Sequence, residues 1–207
     1  MKKVLLRGVA ISALMFFAFA ASAAGNKTYV GFIAGQTKVD ISSSGADAIN
    51  DTDTSFKLFA GTDINPNLAF EFGYIDFGNY GAHYPLYNET DSFEGNALFV
   101  TAIGKAMVAN NLSLYAKIGF DYWRGKADAN ATVSGIPVSG SGDGTGLSPV
   151  FGFGLNFDVT DRLALRAEWE RYSDVGDGVN VTFSGLGSVK LTGSDVDVLG
   201  VGLQYQF

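Results

Sequence analysis

Cysteine is absent from all 207 residues, so neither a disulfide framework nor a thiolate metal site is available, although export would permit disulfides. Histidine occurs once, as His83, and proline only four times. Basic residues are outnumbered, 14 Lys and Arg against 21 Asp and Glu, for a formal net charge of −7. Such a chain is a poor partner for nucleic acid, whose binding rests on Lys and Arg neutralising phosphates. A long hydrophobic run is missing too. The longest, from about Val9 to Ala20, falls short of the roughly 20 residues a membrane helix needs. Lys2, Lys3 and Arg7 precede that run and Ala21-Ser22-Ala23 follows it as a small-residue cleavage site. Residues 1–23 therefore read as a signal peptide. Removing them takes away three positive charges, so −7 becomes −7 − 3 = −10.

What remains, residues 24–207, reads as one domain, with no linker and no shift of composition. Its 27 glycines are spread through the chain rather than gathered into low complexity. Short polar breaks at Asn65-Pro66-Asn67, Ala109-Asn110-Asn111 and Thr160-Asp161-Arg162 carry turn chemistry between apolar runs. Between them lie four longer polar stretches, roughly Asp40 to Asp53, Gly78 to Ser92, Gly125 to Leu147 and Asp174 to Ser194. Short and long connections alternate. The expectation is an all-β fold, an eight-stranded antiparallel up-and-down transmembrane barrel with short periplasmic turns and long extracellular loops. Its strands fall at about 27–38, 54–64, 68–77, 93–107, 112–124, 148–159, 163–173 and 195–207.

Side chains on a strand alternate between faces, and the faces here differ in kind. One carries Phe56, Leu58 and Ala60; Phe70, Phe72 and Tyr74; Leu112, Leu114, Ala116, Ile118 and Phe120; Phe151, Phe153, Leu155 and Phe157; and Leu163, Leu165, Ala167 and Trp169. The opposite face holds Lys57, Glu71, Gly73, Lys117, Gly119, Gly152, Gly154, Asn156, Arg166, Glu168 and Glu170. A soluble lipocalin-type barrel would be apolar inside and polar outside; this pattern is inverted, as lipid around a polar interior requires. Strands one and four are less decisive, since Phe99 and Ile103 lie opposite Leu98 and Val100. Tyr29, Tyr74, Tyr122, Trp123, Tyr172 and Tyr205 stand at strand ends, where an interfacial aromatic girdle would sit.

The final strand sharpens the picture. Leu199, Val201, Leu203, Tyr205 and Phe207 point one way, and Val198, Gly200, Gly202, Gln204 and Gln206 the other. Together with Leu68-Ala69-Phe70-Glu71-Phe72-Gly73-Tyr74, Leu114-Tyr115-Ala116-Lys117-Ile118-Gly119 and Val150-Phe151-Gly152-Phe153-Gly154, it resembles the small OmpA-like and OmpX-like outer-membrane barrels of the porin family in Gram-negative cell envelopes. The resemblance implies that Tyr205 and Phe207 form part of the signal read by the barrel-assembly machinery. It implies location in the outer membrane, with lipid and lipopolysaccharide as surroundings. It also implies an ion-pair network in the lumen, where Glu71, Lys117, Arg166 and Glu168 stand at comparable places; strand alternation adds Lys57 and Glu170 to the inward charges. Full-length OmpA carries a further domain that binds peptidoglycan; nothing in the eight-strand pattern supports a wall-tethering role.

An eight-stranded barrel is just wide enough to be filled by its own side chains, so three charges of each sign read as mutual satisfaction. The rival reading is a narrow or gated ion path in which one pair swaps partners. Function is expected in the outer loops, in surface interaction, adhesion to a host or surface protein, or envelope integrity. The last loop, with Val179, Val181, Phe183, Val189 and Leu191 around Gly185-Leu186-Gly187, reads as a hairpin whose edge can pair with another protein's strand. The acids Asp40, Asp47, Asp51, Asp53, Glu89, Asp91, Asp143, Asp174, Asp177 and Asp195 read as solvated loop residues, since none has the spacing of a Ca²⁺ loop. Catalysis, as in barrels that modify lipid A, would have to use His83 with Asp91 or Ser92, which lack any nucleophile motif. No enzyme, no metal and no cofactor are expected.

Overall fold

A computed structural model of the chain describes residues 27–39, 48–84, 89–133, 136–183 and 187–207; the expected signal peptide, residues 1–23, lies outside them. Among the described residues eleven strands occur: β1 (Thr28–Val39), β2 (Ala48–Asn50), β3 (Thr52–Asn65), β4 (Leu68–Tyr84), β5 (Glu89–Ala109), β6 (Leu112–Val133), β7 (Ile136–Asp158), β8 (Leu163–Val175), β9 (Asn180–Phe183), β10 (Gly187–Lys190) and β11 (Ser194–Gln206). Eight close a ring by antiparallel pairing in the order β1, β3, β4, β5, β6, β7, β8, β11 and back to β1. Val30 of β1 meets Tyr205 of β11, so the last strand of the sequence seals the first. Three short strands add to the outer end: β2 pairs β4, β9 pairs β7, and β10 pairs β9.

The two faces separate as period-two alternation demands. Phe56, Phe70, Leu98, Val100, Leu114, Ile118, Phe120, Phe151, Phe153, Leu165, Leu199 and Val201 are exposed on the outside, while Phe99 and Ile103 are buried within. The lipid-facing run on each strand ends at a polar residue toward the outer side: Gln36, Thr54, Asp76, Asn96, Arg124, Thr145, Arg171 and Asp197. At this boundary Arg171 makes a two-pronged ion pair with Asp197, both bonds 2.7 Å.

The aromatic girdle is smaller than the sequence suggests. Tyr122 and Tyr205 are exposed on the lipid side, but Tyr29, Trp123 and Tyr172 are buried inside the barrel. Their odd or even place in the strand, not their nearness to its end, decides the face.

The strands also run farther than hydropathy indicates. β6 and β7 have 22 and 23 residues, about twice the 9 to 11 that cross a bilayer. The stretches 78–92 and 125–147, expected as loops, are mostly ladder, paired out to Tyr84 with Glu89 and Val133 with Ile136. His83 thus lies in β4, paired with Thr90, not in a loop. Beyond the membrane a strand no longer needs an apolar face, so polarity ceases to mark its end. The Gly/Ser-rich run of β7 has a steric reason. A Cβ at Gly146 would stand 2.5 Å from the Trp123 ring, and one at Gly142 would stand 2.2 Å from the Asn180 carbonyl oxygen.

Candidate functional site

Alternate residues of β3, β4, β6 and β8 point the six charged side chains at one level of the lumen, each at most 3% exposed. Lys117 Nζ donates to Glu168 Oε2 at 2.7 Å and Glu170 Oε1 at 2.8 Å, and approaches Glu71 Oε1 at 3.4 Å. Lys57 Nζ reaches Glu168 Oε1 and, at 2.7 Å, Glu170 Oε1. Arg166 donates through Nη1 to Glu71 Oε2 at 2.7 Å and through Nε to Glu168 Oε2 at 3.1 Å. Charge therefore balances, three against three, inside a region closed to water. Burial of charge is tolerable only when every ion is paired and hydrogen-bonded.

Aromatic groups complete this layer. The Tyr115 hydroxyl donates to Glu168 Oε2 and accepts from Arg166 Nε, both at 2.7 Å, and the Tyr172 hydroxyl donates to Glu170 Oε2 at 3.1 Å. The Arg166 guanidinium lies over the Phe59 ring at 4.4 Å and Tyr115 at 4.6 Å, while Lys57 lies 4.6 Å from the centre of Phe99. These quadrupole contacts favour the cations further. Toward the outside the layer is capped by packed apolar groups, with Phe77 edge-on to Tyr172 at 4.9 Å beside Trp123, Val39 and Val196.

Tyr115 and Asp121 were not assigned to the lumen from sequence and Tyr172 was placed in the girdle, yet strand parity is signal enough: Tyr115, Lys117, Gly119, Asp121 and Trp123 share one face of β6. Asp121 is paired in register with Ser148. Neither side chain has a hydrogen-bond partner, although each is 1% exposed.

The outer hairpin forms as β9 and β10, its tip at 184–186 outside the described residues. The five residues singled out there divide. Val179 and Val181 are buried and face the barrel axis side, whereas Val189 is exposed and Phe183 and Leu191 are partly covered. The first two pack into the core, because the hairpin folds against β7 and its inward face is covered. Of the acids, Asp40 and Asp47 lie outside the described residues. Among the described residues no group of three or more His, Asp or Glu is placed to hold a metal ion.

The sequence model of the OmpA-like transmembrane domain matches residues 23–207. The chain belongs to the OmpA-like transmembrane domain family. Its OmpA-like barrel is 30% identical to Outer membrane protein A of Klebsiella pneumoniae over 149 residues, 72% of this chain and 40% of that protein. The corresponding protein of Salmonella typhi is 29% identical over 72% of this chain and 39% of its own length. The chain thus spans about 40% of the curated relatives it matches. Among solved structures, Ail, the attachment invasion locus protein of Yersinia pestis, superposes with TM-score 0.52 at 16% identity, covering 88% of this chain and 99% of Ail. Neisserial surface protein A gives 0.51 at 17% identity, covering 88% and 97%. Ail has also been solved with the heparin analogue sucrose octasulfate. The OmpA-like barrel is an outer-membrane protein.

Proposed function

We propose that this OmpA-like barrel works at the cell surface by adding an extended strand of a host or surface protein to the open edge of β10, with the lumen serving as a structural plug. The observation that carries this reading is the position of β10. Among the described residues it pairs with β9 alone, and all four of its residues are exposed. Leu191 N donates to the Val179 carbonyl oxygen at 2.7 Å, toward β9. N–H direction alternates along a strand, so Lys190 N–H points to the free side, where a partner strand would accept it. Acids outnumber bases in the outer sheet, with Asp51, Asp53, Glu94, Asp143, Asp174 and Asp177 against Lys38, Lys126 and Lys190. That balance disfavours a sulfated polyanion and favours a protein partner.

Lys190→Pro removes the outward donor yet leaves the β9 side of the hairpin intact, since proline is tolerated on an unpaired strand edge. Cells displaying the native protein are expected to bind host cells, and cells displaying Lys190→Pro to bind at background. Equal binding by the two would overturn strand addition. If even the native protein adds nothing over cells without it, the protein's role is envelope integrity and not surface interaction.

The gated-path reading has its own support in Glu71, which has three cations within 3.8 Å and so has partners to exchange. In planar bilayers the folded barrel is expected to stay silent, as a plug does. Reproducible openings that change with Glu168→Gln or Arg166→Ala would place function in the lumen instead.

A further inference from the structure

Outside the membrane boundary the elongated strands enclose a cup of about 360 Å³, within the range of about 300–1,000 Å³ typical of small-molecule sites. Tyr80, Phe93, Val175, Val181, Phe183 and Leu191 form much of its wall. Tyr80 and Phe93 stack with ring centres 5.3 Å apart. Two of the rings occupy places kept open by glycine. A Cβ at Gly125 would stand 2.1 Å from the Phe93 ring, and one at Gly140 would stand 2.7 Å from Phe183. Gly176, at φ +88°, lets the chain turn directly over Phe93. The cup is therefore a formed feature of the sheet. Phe77, Trp123 and Tyr172 close the apolar layer between it and the ion pairs, so it is a receptacle and not the mouth of a channel.

Charge defines what fits. Among the described residues Asp128 is the one charged group in the lining, and it is engaged by Lys126 at 2.7 Å. Among the described residues no Lys, Arg or His lines the cup to meet an anion. Burial raises the Tyr80 hydroxyl pKa, which keeps that group neutral. An apolar wall cannot replace the hydration of an ion. We infer that the cup binds the alkyl portion of a neutral, medium-chain amphiphile or hydrocarbon, taken from the outer medium. Tyr80 lies beyond Asp76, and Phe93 beyond Asn96, on the aqueous side of the lipid-facing run, so the acyl chains of the surrounding bilayer lie below it. Nothing in this inference depends on strand addition at β10.

The test uses the protein folded in lipid nanodiscs without detergent and the probe 12-bromododecan-1-ol. The chain has two tryptophans; Trp169→Phe removes the lipid-facing one and leaves Trp123, in the apolar layer beneath the cup, as reporter. Bromine is expected to quench Trp123 saturably. Leu191→Glu is expected to raise the half-saturating concentration by about tenfold or more, because a buried carboxylate opposes the alkyl chain, while Leu191→Met retains saturation and Lys190→Pro leaves it unchanged. Linear quenching without saturation, or equal quenching in the Leu191→Glu protein, would overturn the site. In nanodiscs built with brominated acyl chains and no alcohol, Trp123 is expected to stay unquenched. Quenching there that Leu191→Glu abolishes would overturn the outer medium as the source and assign the cup to membrane lipid.

Discussion

Lys117→Met is expected to lower the unfolding free energy of the barrel by about 3–5 kcal/mol, the cost of removing one partner from a buried ion pair. Lys117 meets all three glutamates of the lumen and has no exposed side-chain surface, so its loss leaves three carboxylates facing two cations where water cannot enter. Methionine keeps the length of the side chain, so the loss reports charge and hydrogen bonds more than a cavity. Urea titration of the protein folded in lipid vesicles measures it. Lys117→Met combined with Glu170→Gln restores the balance at two against two and is expected to recover part of the loss, a non-additivity that contact within one network produces. If Lys117→Met alone fails to fold, the double variant folding where the single does not carries the same conclusion. A change below about 0.5 kcal/mol, the size of an ordinary surface effect, would show that the lumen is hydrated and its pairs are independent.

Ile118→Lys is expected to cost about 2–4 kcal/mol in the same titration, the penalty for a lysine on the lipid face near the bilayer midplane. Ile118 is 69% exposed, and it lies midway along β6 between the Asn110-Asn111 turn and the polar boundary at Arg124. Ile118 belongs to a continuous exposed apolar face with Phe120, Phe151 and Phe153, and a patch of that kind fits hydrocarbon as the solvent. Thr145→Lys supplies the control, since Thr145 is an exposed member of the polar boundary on the neighbouring strand β7 and is expected to tolerate the change within about 0.5 kcal/mol. Equal, small effects at both positions would mean that water surrounds the Ile118 face.

The readable parts of the sequence were those where chemistry repeats with the period of a strand. The turns at Asn65-Pro66-Asn67, Ala109-Asn110-Asn111 and Thr160-Asp161-Arg162 fall between β3 and β4, β5 and β6, and β7 and β8, because tight reversals need particular residues. Lys57, Lys117 and Arg166 were legible as inward-facing because their strand neighbours face lipid. Parity applied to Tyr29, Trp123 and Tyr172 would have turned them inward as well; judging them by closeness to a strand end did not. At the outer end the guide failed for a physical reason. There both faces of β6 and β7 meet water or each other, so Gly125 to Leu147 has the composition of a loop and the hydrogen bonds of a ladder.

The alternating polarity of the chain by itself determined an outer-membrane barrel, its eight crossings and, on the strands with a clear apolar face, which side chains face lipid, because each strand must pair its backbone with its neighbours and present one apolar face to hydrocarbon. Tertiary structure alone decided which glutamate meets which cation, that Val179 and Val181 are core while the β10 edge is open, and that Phe93 and Phe183 line a cup over Gly125 and Gly140. Those outcomes depend on the stagger between strands distant in sequence and on the return of β9 and β10 onto β7. No local pattern of residues encodes that stagger, and ring closure fixes it.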